Sequence, residues 1–150
     1  MKKSIVFLLW PILLFLSSCS LFGNDVSQEE IFAYVEENCK ALNSAITAQM
    51  TAEELRNTLG GNSIVERITF DAYEGNIVNF SCGGKGNATN AIYIGFYYSP
   101  NDVPSVMEFF DIELQEIEPG VFEWKNKDGS HQLRTIRILP NWFYYYKKMY

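Results

Sequence analysis

Ala91-Ile92-Tyr93-Ile94-Gly95-Phe96-Tyr97-Tyr98 is apolar at both sets of alternating positions. A run of this kind, stopped by Pro100-Asn101-Asp102, reads as a strand covered on both faces and therefore central in a sheet. Trp142 to Met149 repeats the pattern, with Trp142-Phe143-Tyr144-Tyr145-Tyr146 placing rings on both sides. Between these two runs, Glu113 to Ile117, Val121 to Lys125 and Leu133 to Leu139 have strand character. Pro119-Gly120 and Lys127-Asp128-Gly129 separate them as turns, with Asp-Gly as a hairpin signal. On the N-terminal side, Ile64, Glu66, Ile68 and Phe70 alternate with Val65, Arg67 and Thr69. Glu74-Gly75-Asn76 then turns the chain into Ile77 to Cys82. Gly83-Gly84-Lys85-Gly86-Asn87 reads as a loop. Val103 to Phe110 is ambiguous: Pro104 could open a helical turn with Val106, Phe109 and Phe110 facing inward.

Ahead of the strands the period changes. Ser27-Gln28-Glu29-Glu30 is a capping box. Ile31, Val35, Cys39, Leu42 and Ile46 come after it at steps of four, four, three and four, tracing one helical face. Thr51-Ala52-Glu53-Glu54 is a second capping box, opening a short helix through Leu55 and Leu59 that stops at Gly60-Gly61. The expected fold is α+β: one or two N-terminal helices packed in two layers on an antiparallel meander, with residues 27–150 as a single domain.

A chain of 150 residues that is 47% hydrophobic and 15% aromatic can bury a core, which excludes disorder. The net charge of −6 argues against nucleic acid, which needs a basic footprint.

The first eighteen residues read as a leader. Met1 to Lys3 is a positive n-region, Ile5 to Leu16 an apolar stretch interrupted only by Pro11, and small residues precede Cys19. The stretch is too short for a membrane span, which needs about 20 apolar residues. Leu16-Ser17-Ser18-Cys19 resembles the bacterial lipobox. The resemblance implies cleavage before Cys19, diacylation of its sulfur, and a membrane-anchored, extracytoplasmic protein with residues 19–26 as a short tether. Ser20 would direct it to the outer membrane in a diderm host; in a monoderm it would sit on the outer face of the cell membrane. Loss of Lys2 and Lys3 with the leader takes the charge from −6 to −8, which disfavours lying flat on anionic lipid.

With Cys19 acylated, Cys39 and Cys82 remain. Two thiols in an oxidising compartment usually pair. The expectation is a Cys39–Cys82 disulfide joining the first helix to a strand. Closing a loop of about 44 residues would stabilise by about 4 kcal/mol in the chain-entropy model.

Residues that could carry chemistry are few. His131, beside Asp128-Gly129-Ser130, reads as a loop residue, and nothing marks a nucleophile for it to activate. One histidine and two paired cysteines cannot supply a zinc site, no calcium loop is present, and no cofactor is implied. Gly83-Gly84-Lys85-Gly86 has the wrong spacing for a phosphate loop and precedes a strand. Glu108, Asp111, Glu113, Glu116, Glu118 and Glu123 lie in a stretch without Lys or Arg, whereas residues 124–150 hold six bases against Asp128. On adjacent strands these opposite charges would pair across the ladder, or they would form a bipolar docking surface. Glu116 and Glu118, two apart on a strand, would share a face. Exposed rings bind proteins and stack on sugars, so Tyr97, Trp142 and Tyr144 join Glu116 and Glu118 as candidate binding residues. The segments Gly95-Phe96-Tyr97-Tyr98-Ser99-Pro100 and Asn141-Trp142-Phe143-Tyr144-Tyr145 are similar to segments of small uncharacterised lipoproteins of Gram-positive bacteria. That similarity brings no activity and implies no enzyme. The expected function is binding of a protein or glycan partner near the membrane, without catalysis. The alternatives are an immunity-type lipoprotein that neutralises a toxin and a carboxylate-based envelope hydrolase.

Overall fold

Both helices begin where side chains can satisfy the first backbone N–H groups. The computed structural model describes residues 26–150 other than 62, 72–74, 88–89 and 108–111. The leader, Cys19, most of the tether, Glu74, Glu108, Phe109, Phe110 and Asp111 therefore lie outside the described residues. Helix α1 spans Gln28–Thr47 and α2 spans Ala52–Leu59. Ser27 Oγ accepts from the Glu30 N–H, and the Glu30 carboxylate accepts from the Ser27 N–H at 2.7 Å. Thr51 and Glu54 repeat this reciprocal pair. Gly60, at φ +73°, ends α2 in a conformation that suits glycine.

Among the described residues, seven antiparallel strands form one sheet: β1 (Arg67–Asp71), β2 (Ile77–Asn87), β3 (Asn90–Tyr98), β4 (Gln115–Glu118), β5 (Val121–Lys125), β6 (Gln132–Leu139) and β7 (Trp142–Met149). The fold is α+β with sheet predominating. The spatial order is β1-β2-β3-β7-β6-β5-β4. The chain thus makes a three-strand meander, crosses to the far edge, and returns by a four-strand meander that closes on β3. Segment 83–87, expected as a loop, is instead the end of β2, paired from Gly83↔Ile94 to Asn87↔Asn90. A Cβ on Gly84 would lie 2.5 Å from the Ile92 carbonyl oxygen, so the glycine here permits close pairing rather than a turn. Segment 103–107 forms neither helix nor strand.

Alternation along the strands sorts the core into two clusters. Phe80, Phe96, Trp142 and Tyr144 pack with Ile31, Val35, Leu42 and Ala45 of α1 and Leu55 of α2. The opposite sheet face carries Tyr97, Leu133, Phe143 and Tyr145, and the crossover supplies Met107, Ile112 and Leu114 to it. The crossover is held by polar contacts as well. The Tyr97 hydroxyl accepts from the Ser105 N–H at 2.9 Å and contacts Thr135 Oγ1 at 3.1 Å.

The helical stripe is rotated from the expected one. At about 100° per residue, Cys39 lies about 80° and Ile46 about 60° from Ile31, whereas Leu42 returns to within about 20°. Ala45 is buried accordingly, and Cys39 sits half-exposed at the edge of the stripe. The expected Cys39–Cys82 bridge is not formed. Both are free thiols, Cys39 Sγ directed to the Glu36 carbonyl and Cys82 Sγ to that of Phe80. Burial, reinforced by nearby Glu66, pushes the Cys82 thiol up to about 12.

The start of the crossover is clamped to the β6–β7 hairpin. Asp102 pairs with Arg137 and accepts from the Asn141 N–H at 2.7 Å, while Asn141 Nδ2 donates to the Ser99 carbonyl at 2.8 Å. The Asn141 hydrogen bond, with a smaller contribution from Arg137, holds the Asp102 carboxyl below its usual range. A depressed folded value means the contribution is complete above the unfolded pKa of about 4 and disappears as pH falls through the folded one. Because Asp102 is partly solvated, we expect Asp102→Asn to cost about 1 kcal/mol at neutral pH. The stability difference between wild type and variant should shrink to nothing in acid. Thermal midpoints measured across pH would show it, and a pH-independent difference would refute the ionic clamp.

Candidate binding groove

Strand β2 outlasts its neighbour. The β1–β2 ladder begins at Arg67↔Ser81, with one further bond from the Glu66 N–H to the Ser81 carbonyl at 2.7 Å. Beyond it, Gly83 to Asn87 has β3 on one side and, among the described residues, no strand on the other. The chain before β1 turns away toward α2, where the Arg56 guanidinium donates to the Glu66 carbonyl at 2.7 Å. The notch so left is an open groove of about 600 Å³, lined by Glu66, Arg67, Lys85, Asn87, Ile92 and Tyr93 among others. A β-bulge between Ser81 and Gly83 shifts the alternation here, so Cys82 faces the core while Lys85 stays at the surface. The groove offers a cationic rim, an amide, a carboxylate and the 40%-exposed ring of Tyr93. Groups of this kind hold a ligand by hydrogen bonds, charge and stacking.

The structure distributes the candidate residues from the sequence differently. Tyr97, Trp142 and Tyr144 are 0%, 1% and 5% exposed, so they are core residues and not a binding face. Alternation alone shows that one ring set lies under the helices; the crossover covers the other. Burial raises the Tyr144 hydroxyl to about 12, keeping it neutral. Glu116 and Glu118 are exposed on β4, but a bulge separates them: Glu116 pairs with Phe122 and Glu118 with Val121. Since Val121 and Phe122 point to opposite sheet faces, the two carboxylates do not converge. Glu116 instead accepts from the Gly120 N–H at 2.9 Å, serving the turn. Glu123 lies opposite Arg134, 3.9 Å away, and 2.8 Å from Lys125, so opposite charges do pair across β5 and β6. His131 Nδ1 lies 2.9 Å from Ser130 Oγ and 3.3 Å from Asn126 Nδ2, while Asp128 accepts from the Ser130 N–H. These contacts close the loop between β5 and β6. Among the described residues, no group of three or more His, Cys, Asp or Glu is placed to hold a metal.

No protein-family model matches this chain, and neither a curated protein nor a solved structure is detectably similar to it. The site must therefore be argued from its own residues. Sequence reasoning missed Glu66, Arg67 and Tyr93. The available signal was the glycine run after Cys82, which marks close backbone pairing at a strand end as readily as a loop.

Proposed function

We propose that this chain is a lipid-anchored extracytoplasmic binding protein that acts without catalysis, recognising a protein or an envelope component beside the membrane. The observation that carries the reading is Leu16-Ser17-Ser18-Cys19 closing a short apolar leader. Cys19 would be acylated and become the mature N-terminus. The domain is two-layered in this reading, with α1 and α2 against one face of the sheet; their shared apolar cluster supports it. The groove beside β2 is the contact site, its mixed charge and exposed ring suiting recognition. The exposed carboxylates of β4 favour, as a second reading, an immunity-type protein that captures a basic toxin.

The test is fractionation of cells making the wild type and Cys19→Ala. The wild type should sediment with membranes and carry an N-terminal diacyl mass. Two acyl chains, at about 0.8 kcal/mol per buried CH₂, anchor stably, so the variant should lose nearly all membrane retention as mature protein. Equal sedimentation of both, with an unmodified thiol, would overturn the anchor. For binding, detergent-solubilised envelope should yield a partner to wild type and not to Arg67→Glu/Tyr93→Ala. Recovery of the same material by both would remove the groove from the reading.

A further inference from the structure

Helix α1 runs opposite to β7. Its early residue Phe32 meets Tyr144 edge-on with ring centroids 5.9 Å apart, whereas Asn43, near its end, accepts from Trp142 Nε1 at 3.1 Å. Val26, the first described residue, therefore lies at the end of the sheet where β7 finishes. The hairpin ends of β2–β3 and β5–β6 lie there too, because Ile92 and Gln132 both pair with Lys148.

At this end a row crosses the strands. Lys85 is paired with Ile92, Ile92 with Lys148, Lys148 with Gln132, and Gln132 with Lys125. Directly paired side chains share a face, so Lys85, Lys148 and Lys125 project to one side. Lys127 lies in the adjoining loop, and Tyr150, 46% exposed, has the Lys148 ammonium 4.2 Å from its ring centroid. Of the acids at this end, Glu123 pairs with Lys125 of the row and with Arg134, Asp128 accepts from the Ser130 N–H, Glu30 closes its cap, Glu66 lines the groove beside Lys85, and Glu113 is exposed just before β4. Glu29 lies on the helix. At the opposite end, among the described strand residues, lie Asp71, Asp102 and Glu118, with Arg137 paired to Asp102. The charge is thus polarised along the strands.

We infer that the lysine row and Tyr150 form an end-on docking surface for anionic lipid, which sets the orientation of the domain on its membrane. This rests on the lipid-anchor reading. Residues 19–25 number seven and, even fully extended, span only about 25 Å, so the end carrying Val26 cannot leave the headgroup region by more than that. A tether this short lets the end come within about one Debye length of the headgroups, roughly 8 Å, which is the range over which surface lysines gain from anionic lipid. The mature net charge of −8 repels the rest of the surface from the same lipid. The lysine row therefore orients a body that the anchor already holds. An aromatic side chain beside the lysines suits the interfacial depth.

The test uses the full lipidated chain, reconstituted into vesicles of phosphatidylcholine alone or of phosphatidylcholine mixed equally with phosphatidylglycerol. Flotation reports the anchor and amide hydrogen exchange reports the docking. The chain should float with both. Amides of Asn90–Tyr93 and Lys147–Tyr150 should exchange about fivefold slower, or more, on the anionic vesicles. Amides of Leu139–Trp142, at the far end, should not change. High salt, or Lys127→Glu/Lys148→Glu, should abolish the slowing without loss of flotation. Unchanged tip exchange in floating protein would overturn the docking and leave the anchor standing. Failure to float on phosphatidylcholine would overturn the anchor. Slowing that needed added envelope protein would reassign the surface to a protein partner.

Discussion

Replacing Trp142 by alanine should cost about 3–5 kcal/mol and lower the thermal midpoint by roughly 10 °C. Its ring lies 5.9 Å, centroid to centroid, from both Phe80 and Phe96 and 5.2 Å from Tyr98, which it opposes directly across the β3–β7 ladder. It also ties sheet to helix through the hydrogen bond to Asn43. Truncation removes the packing of three rings at once, and the stacked pair of Phe80 and Phe96 cannot close the cavity without moving β2. Trp142→Phe keeps most of the volume and loses the N–H donor. Because Asn43 can turn to water, that variant should cost only about 1 kcal/mol. Thermal or urea unfolding of the three proteins would order them, and a Trp142→Ala cost below that of Trp142→Phe would refute the packing argument.

The same residue shows how far the sequence could be read. Trp142 was legible as a strand residue with a ring to bury, because alternation is local. That β7 sits beside β3, and that Met107, Ile112 and Leu114 of the crossover cover the face bearing Tyr97, depends on contacts distant in sequence, which no pattern of spacing encodes. Without that cover Tyr97 looked available to a partner, and without the packing of α1 so did Tyr144. The capping boxes at Ser27 and Thr51 were readable for the opposite reason: each is complete within four residues. Cys39 shows an intermediate case. A step of four is a good local approximation to the helical repeat, but two successive steps carry the residue about 80° from its origin. The bulges at Cys82 and Ile117 were illegible. Each adds one residue to a ladder and so reverses the facing of every residue beyond it. That reversal is why the groove was missed and the Glu116–Glu118 pair was misplaced.

Gly95→Ala should destabilise the chain by about 3 kcal/mol or more, at the upper end of overpacking effects. Gly95 lies opposite Ser81 on β2 and Tyr145 on β7, so its strand is fixed on both sides. A Cβ there would overlap the Phe80 carbonyl oxygen and lie 2.8 Å from the Tyr145 hydroxyl. The phenol cannot move aside. It is almost fully buried, its hydroxyl is engaged by Ser81 and Asn79, and burial raises its titration above the ordinary tyrosine range. The strands must separate or the ring must leave. Either outcome weakens the face on which Tyr97 holds the crossover through Ser105. The comparison that isolates the cause is Gly84→Ala. Its Cβ would also meet a carbonyl of the partner strand, that of Ile92, but Gly84 lies where β2 has no second neighbour among the described residues and can shift outward. It should cost clearly less than Gly95→Ala in thermal unfolding. Gly95→Ala alone should speed amide exchange at Ser105 and Met107, crossover residues whose N–H groups bond to the Tyr97 hydroxyl and to Ser105 Oγ. Equal costs at the two positions would mean that the central strand is no more constrained than the edge, and the closure of the two meanders on β3 would not be what holds the sheet together.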